Sequence, residues 1–329
     1  MKAILCTSYG PPESLVYEDI PIVPPAPHEI QIEVQAAGVN FPDNLVILGK
    51  DQYKPQLPFS PGGELSGIVR AVGAEVEGFR EGDHVFSGTV WGAFREVVNV
   101  SAHNTFHMSP SMDFDQAATF ICAYGTAVHC LKDRARLEAG QTLAVLGAAG
   151  GVGTAIIQVA KAMGARVIAC ASTPEKLAQC QENGADDLLN YSEEDLKSRL
   201  KELTNGKGVD VIVDPVGSDY SEQALRAIAW GGRFAVVGFT AGAIAHIPLN
   251  LVLLKGCELV GVFWSTSTRR NPPRNRRNIQ QALDWFEAGL LRPVLFGRFP
   301  LPEVAKALRM VSNRKAQGRL VILPAHRFH

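Results

Sequence analysis

The residues best suited to do chemistry are a run of glycines. Gly147-Ala-Ala-Gly150-Gly151-Val152-Gly153 follows the short apolar segment Thr142-Leu-Ala-Val-Leu and precedes an amphipathic stretch, Thr154 to Met163. Glycines let a backbone approach a pyrophosphate, and a helix opening just behind them points its N–H groups at that charge. The spacing is GxxGxxG rather than GxGxxG, and on its own it could be a plain tight turn. Its position between a strand and a helix, with further strand–helix units behind it, reads as a dinucleotide site. About twenty residues on, where an NAD site usually offers a carboxylate to the ribose, the chain has Cys170-Ala-Ser172-Thr173-Pro-Glu-Lys176. Two hydroxyls and, one turn later, a lysine suit a 2′-phosphate, so NADPH is the expected cofactor. Ser172 or Thr173 can equally serve as a helix N-cap, and the two readings are compatible.

These residues need elements to position them. After residue 122 the chain alternates: strand Arg166–Ala171, helix Pro174–Asn183, strand Asp187–Asn190, helix Glu193–Thr204, strand Val209–Asp214, helix Ser221–Ala229, strand Arg233–Gly238. That alternation implies parallel βαβ units. The first ~120 residues differ. Glu29-Ile-Gln-Ile-Glu-Val-Gln alternates as a half-buried strand, and Ser60-Pro-Gly-Gly-Glu and Glu81-Gly-Asp-His84 read as turns. After ~260 come helix candidates Arg277–Ala288 and Leu301–Ser312 and a strand, Gly318–Leu323, expected to rejoin the first lobe. The expected division is 1–122, 123–260 and a C-terminal return, 261–329.

Composition bounds the rest. The 329 residues are 46% hydrophobic and 20% charged, with a formal net charge of −1, which argues against a disordered chain and against a phosphate-driven nucleic-acid binder. The total conceals +10 on residues 261–329 against −11 elsewhere, with Arg269, Arg270, Arg274, Arg276 and Arg277 close together beside Asn271-Pro-Pro, read as a solvated loop. The stretches Ala139–Ala160 and Phe234–Leu254 lack charge but are broken by glycine, histidine or proline, so no membrane span is expected. Six scattered cysteines without CxxC spacing, and no signal peptide at Met1-Lys2-Ala3, suggest free thiols and a cytoplasmic location.

Several segments together carry a resemblance: Ala37-Gly-Val-Asn40-Phe-Pro-Asp43, Pro61-Gly-Gly-Glu64-Leu-Ser-Gly67, Gly82-Asp-His-Val85, Ala148-Ala-Gly-Gly-Val-Gly153, Gly184-Ala-Asp186, Asn190-Tyr191, Gly231-Gly-Arg233 and Val237-Gly-Phe239. Over almost its whole length the chain resembles the medium-chain dehydrogenase/reductase superfamily, in its zinc-free quinone oxidoreductase (zeta-crystallin-like) branch and the quinone oxidoreductase-like subgroup within it. The resemblance implies an α/β fold, a Rossmann doubly wound parallel sheet inserted in a mostly-β GroES-like catalytic domain. It also implies NADPH and a homodimer. It assigns Asn40 and Thr126 to the nicotinamide side and Gly150, Gly151 and Val152 to the pyrophosphate. Ser172, Thr173, Lys176 and Tyr191 fall to the adenosine phosphate. Val216, Gly217, Gly238, Phe239, Thr240, Phe263, Trp264 and Arg314 complete the cofactor set. Plainer roles stay open: Asn40 as a turn cap, Tyr191 as a surface aromatic, Phe263 and Trp264 as packing, His84 as a turn residue.

Zinc-dependent relatives place Cys where this chain has Asn40 and His-Glu where it has Gly63-Glu64, and residues 86–106 lack the cysteines of a structural zinc. No metal is expected, with Glu64 as a structural acid. Without a Lewis acid the expected reaction is hydride transfer to a quinone or another electron-poor small molecule. Tyr53 and the Asn40 amide are the candidates to serve the developing oxyanion, although Tyr53 could be a loop aromatic only. The alternatives are an enoyl or acryloyl-thioester or enone reductase, with the arginine cluster meeting CoA phosphates, and a non-catalytic NADPH-binding protein.

Overall fold

The computed structural model describes residues 1–327, which divide into two compact units. The first comprises Met1–Cys122 with the chain from Pro293 onward; the second is Ala123–Arg292.

The first unit is built on a seven-stranded sheet. Its order is Leu295–Pro300, Arg319–Leu323, Glu29–Val39, Glu64–Val72, His84–Gly88 and Thr105–His107, and Val97–Ser101 also pairs with Glu29–Val39. A two-stranded ribbon, Lys2–Leu5 with Val16–Asp19, stands apart from it. Arg319–Leu323 returns antiparallel to Glu29–Val39, with Leu320 opposite Val39 and Ile322 opposite Ala37. The alternation in Glu29–Gln35 suggested one wet face, but the strand is buried on both. Gln31 is buried because its amide donates to Val23 O (2.9 Å) and Asn99 Oδ1 (3.1 Å), which satisfies the polar group. The core gathers Ile30, Ile32, Val34, Leu65 and Val85 from the sheet, Phe94 from the loop before Val97–Ser101, and Ile47 and Leu308 from helices. His84, read as a turn residue, opens a strand instead.

The second unit holds a six-stranded, all-parallel sheet. The order is Asp187–Asn190, Arg166–Ala171, Thr142–Leu146, Val209–Asp214, Ile228–Val236, Glu258–Gly261. In chain order that is third, second, first, fourth, fifth, sixth, the doubly wound arrangement with its reversal between Thr142–Leu146 and Val209–Asp214. Buried apolar runs such as Leu143–Leu146 and Val167–Ala171 suit strands covered on both faces. Helices Gly151–Ala162, Pro174–Glu182, Leu196–Leu203, Asp219–Arg226 and Leu249–Lys255 provide the covering layers.

The return starts later than the expected 261. Glu258–Gly261 is the sixth strand of the parallel sheet, and the helices Trp264–Arg270 and Pro272–Glu287 stay with it. Trp264 Nε1 donates to Asn275 Oδ1 (3.1 Å), Asn278 Nδ2 to Asp133 Oδ2 (2.8 Å) and Arg134 Nε to Gly261 O (2.8 Å). The arginine cluster therefore lies on two helices and not in a loop. No helix among the described residues is long and apolar enough to cross a membrane. The charge-free stretches resolve into turn, strand and helix.

Candidate functional site

The strand Thr142–Leu146 ends in a turn that only small residues permit. Gly147 has φ +59°, and a Cβ there would lie 2.8 Å from Val216 Cγ2. A Cβ on Gly153 would lie 2.5 Å from Gly147 O and 2.6 Å from Ala148 O, so the helix Gly151–Ala162 starts hard against the turn. Gly150 is its N-cap, no side chain caps it, and no carboxylate stands in its first turn. Orphan N–H groups and the positive end of the dipole are thus left for an anion.

The neighbouring strand tip is tied to this turn, since Ala148 N donates to Cys170 O (3.1 Å). Thr173 caps the helix Pro174–Glu182 by accepting from Lys176 N (3.4 Å), while Lys176 Nζ reaches Ser172 Oγ (3.3 Å). Capping and a hydroxyl–ammonium cluster therefore coexist. Tyr191 is brought alongside by its N–H to Ala171 O (3.1 Å), and its ring lies 4.6 Å from that of Tyr220.

Beyond the strand-order reversal, Asp214 builds the next segment. This buried carboxylate accepts from Val216 N (2.8 Å), Gly217 N (2.9 Å) and Ser221 Oγ. The carbonyl oxygen of Asp214 takes Val237 N and Gly238 N, and Pro215 O takes the N–H and hydroxyl of Thr240. Gly217 (φ +77°) has Phe239 Cδ1 at 2.8 Å from its absent Cβ. Val216, Gly217, Gly238, Phe239 and Thr240 thus converge with the glycine turn at the C-terminal edge of the sheet, where ligands of open α/β sheets bind. Asp214 was not singled out from sequence, although an acid closing an apolar strand before Pro-Val-Gly is a visible signal.

After the sixth strand, Phe263 is half exposed, while the Trp264 ring lies on Gly125, whose absent Cβ would be 2.7 Å from it. Thr126 is the next residue on that helix, Phe120–Val128.

In the first unit, Asn40 is the N-cap of Phe41–Ile47, with its N–H donating to Asp43 Oδ2 (2.7 Å). Its Nδ2 donates to Glu64 Oε1 (2.9 Å). Glu64 is fully buried, pairs with Arg319, and accepts from Cys122 N (3.0 Å). Burial pushes the Asp43 carboxyl up to about 7, with the Glu64 charge adding to the rise; the Asn40 and Gly63 backbone groups and Arg319 act against it. Burial likewise holds the half-buried Cys122 thiol well above its ordinary range. Arg319 was not named from sequence, and Asp43 was quoted there only within the Ala37–Asp43 segment, with no role of its own. Asp43 had a signal, an acid three residues after Asn40 at a helix start; Arg319, 255 positions from Glu64, had none.

Tyr53 stands half-buried in the loop after Phe41–Ile47, its N–H on Asp51 Oδ1 (2.9 Å). The loop is anchored by the Tyr9 ring against Gly49 and the Tyr9 hydroxyl on Pro55 O (3.0 Å). Arg314 is exposed, with φ +56°, in the turn before Arg319–Leu323. Among the described residues, no three His, Cys, Asp or Glu side chains are grouped as a metal would need.

Comparison with known proteins gives matching family models over both units. Residues 26–110 match the alcohol dehydrogenase GroES-like domain, and residues 151–288 match the zinc-binding dehydrogenase family. A quinone oxidoreductase-like protein 2 homolog from Nematostella vectensis is 38% identical over 98% of this chain and 88% of its own. The structure of Pseudomonas syringae quinone oxidoreductase superposes with a TM-score of 0.92 at 31% identity, over 98% of this chain and 99% of the other. That of Escherichia coli quinone oxidoreductase complexed with NADPH gives 0.91 at 29% identity, over 98% and 100%.

Proposed function

The chain belongs to the medium-chain dehydrogenase/reductase family, among its quinone oxidoreductases, and we propose that it is an NADPH-dependent oxidoreductase passing a hydride to a quinone or another electron-poor acceptor without zinc. The observation that carries the cofactor choice is the tip of Arg166–Ala171. Lys176 Nζ and Ser172 Oγ cluster there, the strand itself ends without a carboxylate, and the one acid nearby, Glu175 in the first helical turn, is engaged by the Thr173 side chain; the glycine-turn helix start beside it is uncapped and free of acids. An anionic 2′-phosphate and a pyrophosphate fit those two places, and the Escherichia coli relative is a complex with NADPH.

In this reading Gly150, Gly151 and Val152 hold the pyrophosphate, and Ser172, Thr173, Lys176 and Tyr191 hold the adenosine phosphate. Val216, Gly217, Gly238, Phe239, Thr240, Phe263 and Trp264 flank ribose and nicotinamide, with Thr126 and Asn40 on the nicotinamide side and Arg314 reaching the cofactor. When bound, the reduced nicotinamide supplies the hydride, the step the chain's own side chains cannot perform. The chain orients the acceptor and serves its developing oxyanion, with the Tyr53 hydroxyl as donor. The Asn40 amide, already donating to Glu64, is held in one orientation.

The family description implies zinc, and the residues here do not fit it. Asn40 replaces a thiolate, the Cys122 thiol is held protonated, and Glu64 is engaged by Arg319, Asn40 and a backbone N–H. A guanidinium on that carboxylate repels a cation, and zinc requires deprotonated N, S or O ligands. Activity is therefore expected to survive dialysis against a chelator unchanged.

We further infer a homodimer. Trp230, Leu249 and Leu253 are exposed beside Glu258–Gly261, the terminal strand of the parallel sheet. Six free cysteines accord with a cytoplasmic location. NADPH oxidation followed against naphthoquinone and a simple enone tests the function. Consumption with either acceptor is expected; tight NADPH binding with no turnover on any acceptor would overturn catalysis and leave a binding protein.

A further inference from the structure

We propose that Arg319 is a positioning residue for the hydride step: its charge cancels that of Glu64 behind the Asn40 amide, so that the amide can serve the acceptor oxygen on which negative charge develops. The inference rests on the hydride-transfer reading above, with Asn40 as a donor to that oxygen.

The groups concerned all lie in the first unit. The carboxylate of Glu64 is shared by Asn40 Nδ2 (2.9 Å) and the Arg319 guanidinium on Oε1 and by Cys122 N (3.0 Å) on Oε2. Gly38 makes room for it, since a Cβ there would lie 2.6 Å from Oε1. The Cys122 N–H belongs to the first turn of Phe120–Val128, where a helix has no partner of its own for that donor, and the same helix carries Thr126. A carboxylate in contact with a guanidinium is ionised and only accepts, so the Asn40 amide must face it with an N–H. One of the two amide donors is thereby committed, and the direction of the second is fixed with it.

A buried anion behind that amide works against the chemistry. Charge on Glu64 and charge growing on the acceptor oxygen repel, and away from water the repulsion is weakly screened. Arg319 is itself only 7% exposed and places the opposite charge in contact with Glu64. Its Nε has no hydrogen-bond partner among the described residues, so hydrogen bonding alone does not account for burying a guanidinium here. Stability alone does not account for it either, because a buried ion pair gives little net stabilisation over an apolar pair of the same volume. Asp43 is the other acid in reach, and its buried carboxyl, pushed up to about 7, keeps its proton at pH 6. Glu64, Arg319 and Asp43 together are then neutral around the amide.

The test reads the sign of the effect. Arg319→Gln leaves the Glu64 anion uncompensated, and Glu64→Gln leaves the Arg319 cation uncompensated. Both break the same pair and both lower Tm, so a purely structural pair predicts that their rates fall together. The proposal predicts that they part. In single turnovers of bound NADPH with naphthoquinone at pH 6, Arg319→Gln should slow NADPH oxidation roughly tenfold to a hundredfold and leave NADPH affinity within about threefold of wild type. Glu64→Gln should be as fast as wild type or faster. Arg319→Lys, which keeps the charge, and Glu64→Gln/Arg319→Gln, which is neutral, should both return to within about threefold of wild type. In Asn40→Ser, which retains a helix cap, the Arg319→Gln effect should shrink to about twofold or less. Equal losses in the two single variants, a double variant as slow as Arg319→Gln, or an undiminished effect in Asn40→Ser overturns the proposal. If Arg319→Gln does not fold, Glu64→Gln and the double variant decide: wild-type rates in both support the proposal, and a slow rate in either overturns it. Wild-type turnover without this asymmetry removes the inference and leaves its parent standing, whereas no wild-type turnover on any acceptor removes both.

Discussion

Asp43 is an acid placed where its charge is poorly tolerated. Its carboxyl is buried and raised to about 7, chiefly by desolvation, against about 3.9 in an unfolded chain. Between roughly pH 4 and 7 the folded state keeps a proton that the unfolded state has lost. This contribution to stability is therefore full below about pH 4 and is lost as pH rises through about 7. Asp43→Asn stays neutral and keeps an oxygen for the Asn40 N–H. Thermal unfolding across pH 4–8 should show a flatter profile for Asp43→Asn and a higher Tm than wild type at pH 8; parallel profiles would sink the idea. At the cofactor, Lys176→Ala should cut the NADPH/NADH ratio of kcat/KM by roughly tenfold to a hundredfold, the loss of a hydrogen bond to a charged phosphate. An unchanged ratio would remove Lys176 from that role. The two sites differ in how readable they are. Ser172 and Lys176 are four residues apart, so spacing alone brings them together. Glu64 meets Arg319 only because a strand near the C-terminus adds to the first sheet, and no local pattern announces that.

Among elements, the glycine turn is the most constrained. Gly153→Ala would place a Cβ within 2.6 Å of two carbonyl oxygens, and backbone must move to admit it. At Gly150 the nearest atom would be 3.3 Å away. Gly153→Ala should cost about 1–3 kcal/mol, an overpacking penalty, with a matching fall in Tm and weakened NADPH binding by fluorescence titration. Gly150→Ala should lower Tm far less, and equal losses would contradict the close-approach argument. Three strands of the parallel sheet were legible to the residue, Arg166–Ala171, Asp187–Asn190 and Val209–Asp214, which stand where apolar runs end at turn residues; the strand read as Arg233–Gly238 runs Ile228–Val236 instead, and Glu258–Gly261 was not read. Helix ends were less so, because caps compete. The spacing around Glu193 pointed to an earlier start, but Asp195 takes the N-cap by accepting from Ser198 N. The helix Pro272–Glu287 was read only from Arg277. Its first turns are prolines and arginines without an apolar stripe, and Asn271 starts it by accepting from Arg274 N.

At the scale of the whole molecule, unpartnered apolar surface is the feature that needs an explanation. Trp230, Leu249 and Leu253 are each at least 75% exposed. They are contiguous: the Trp230 ring lies over Gly256, where the helix Leu249–Lys255 ends and the chain enters Glu258–Gly261. A sheet edge with free backbone groups beside exposed large side chains is a place where monomeric proteins normally install charge or cover. A second copy, offering the same edge and the same leucines about a twofold axis, would supply the cover. The near-zero net charge adds little repulsion between copies. Light scattering on a sizing column should therefore give about twice the 35.5 kDa chain mass for the wild type. Trp230→Glu/Leu253→Glu should give the single-chain mass, because burying two carboxylates opposite their own images costs more than the apolar contact returns. Its Tm should lose any dependence on protein concentration. A wild-type protein that is monomeric at micromolar concentration, or a double variant that still dimerises, would place the cover elsewhere.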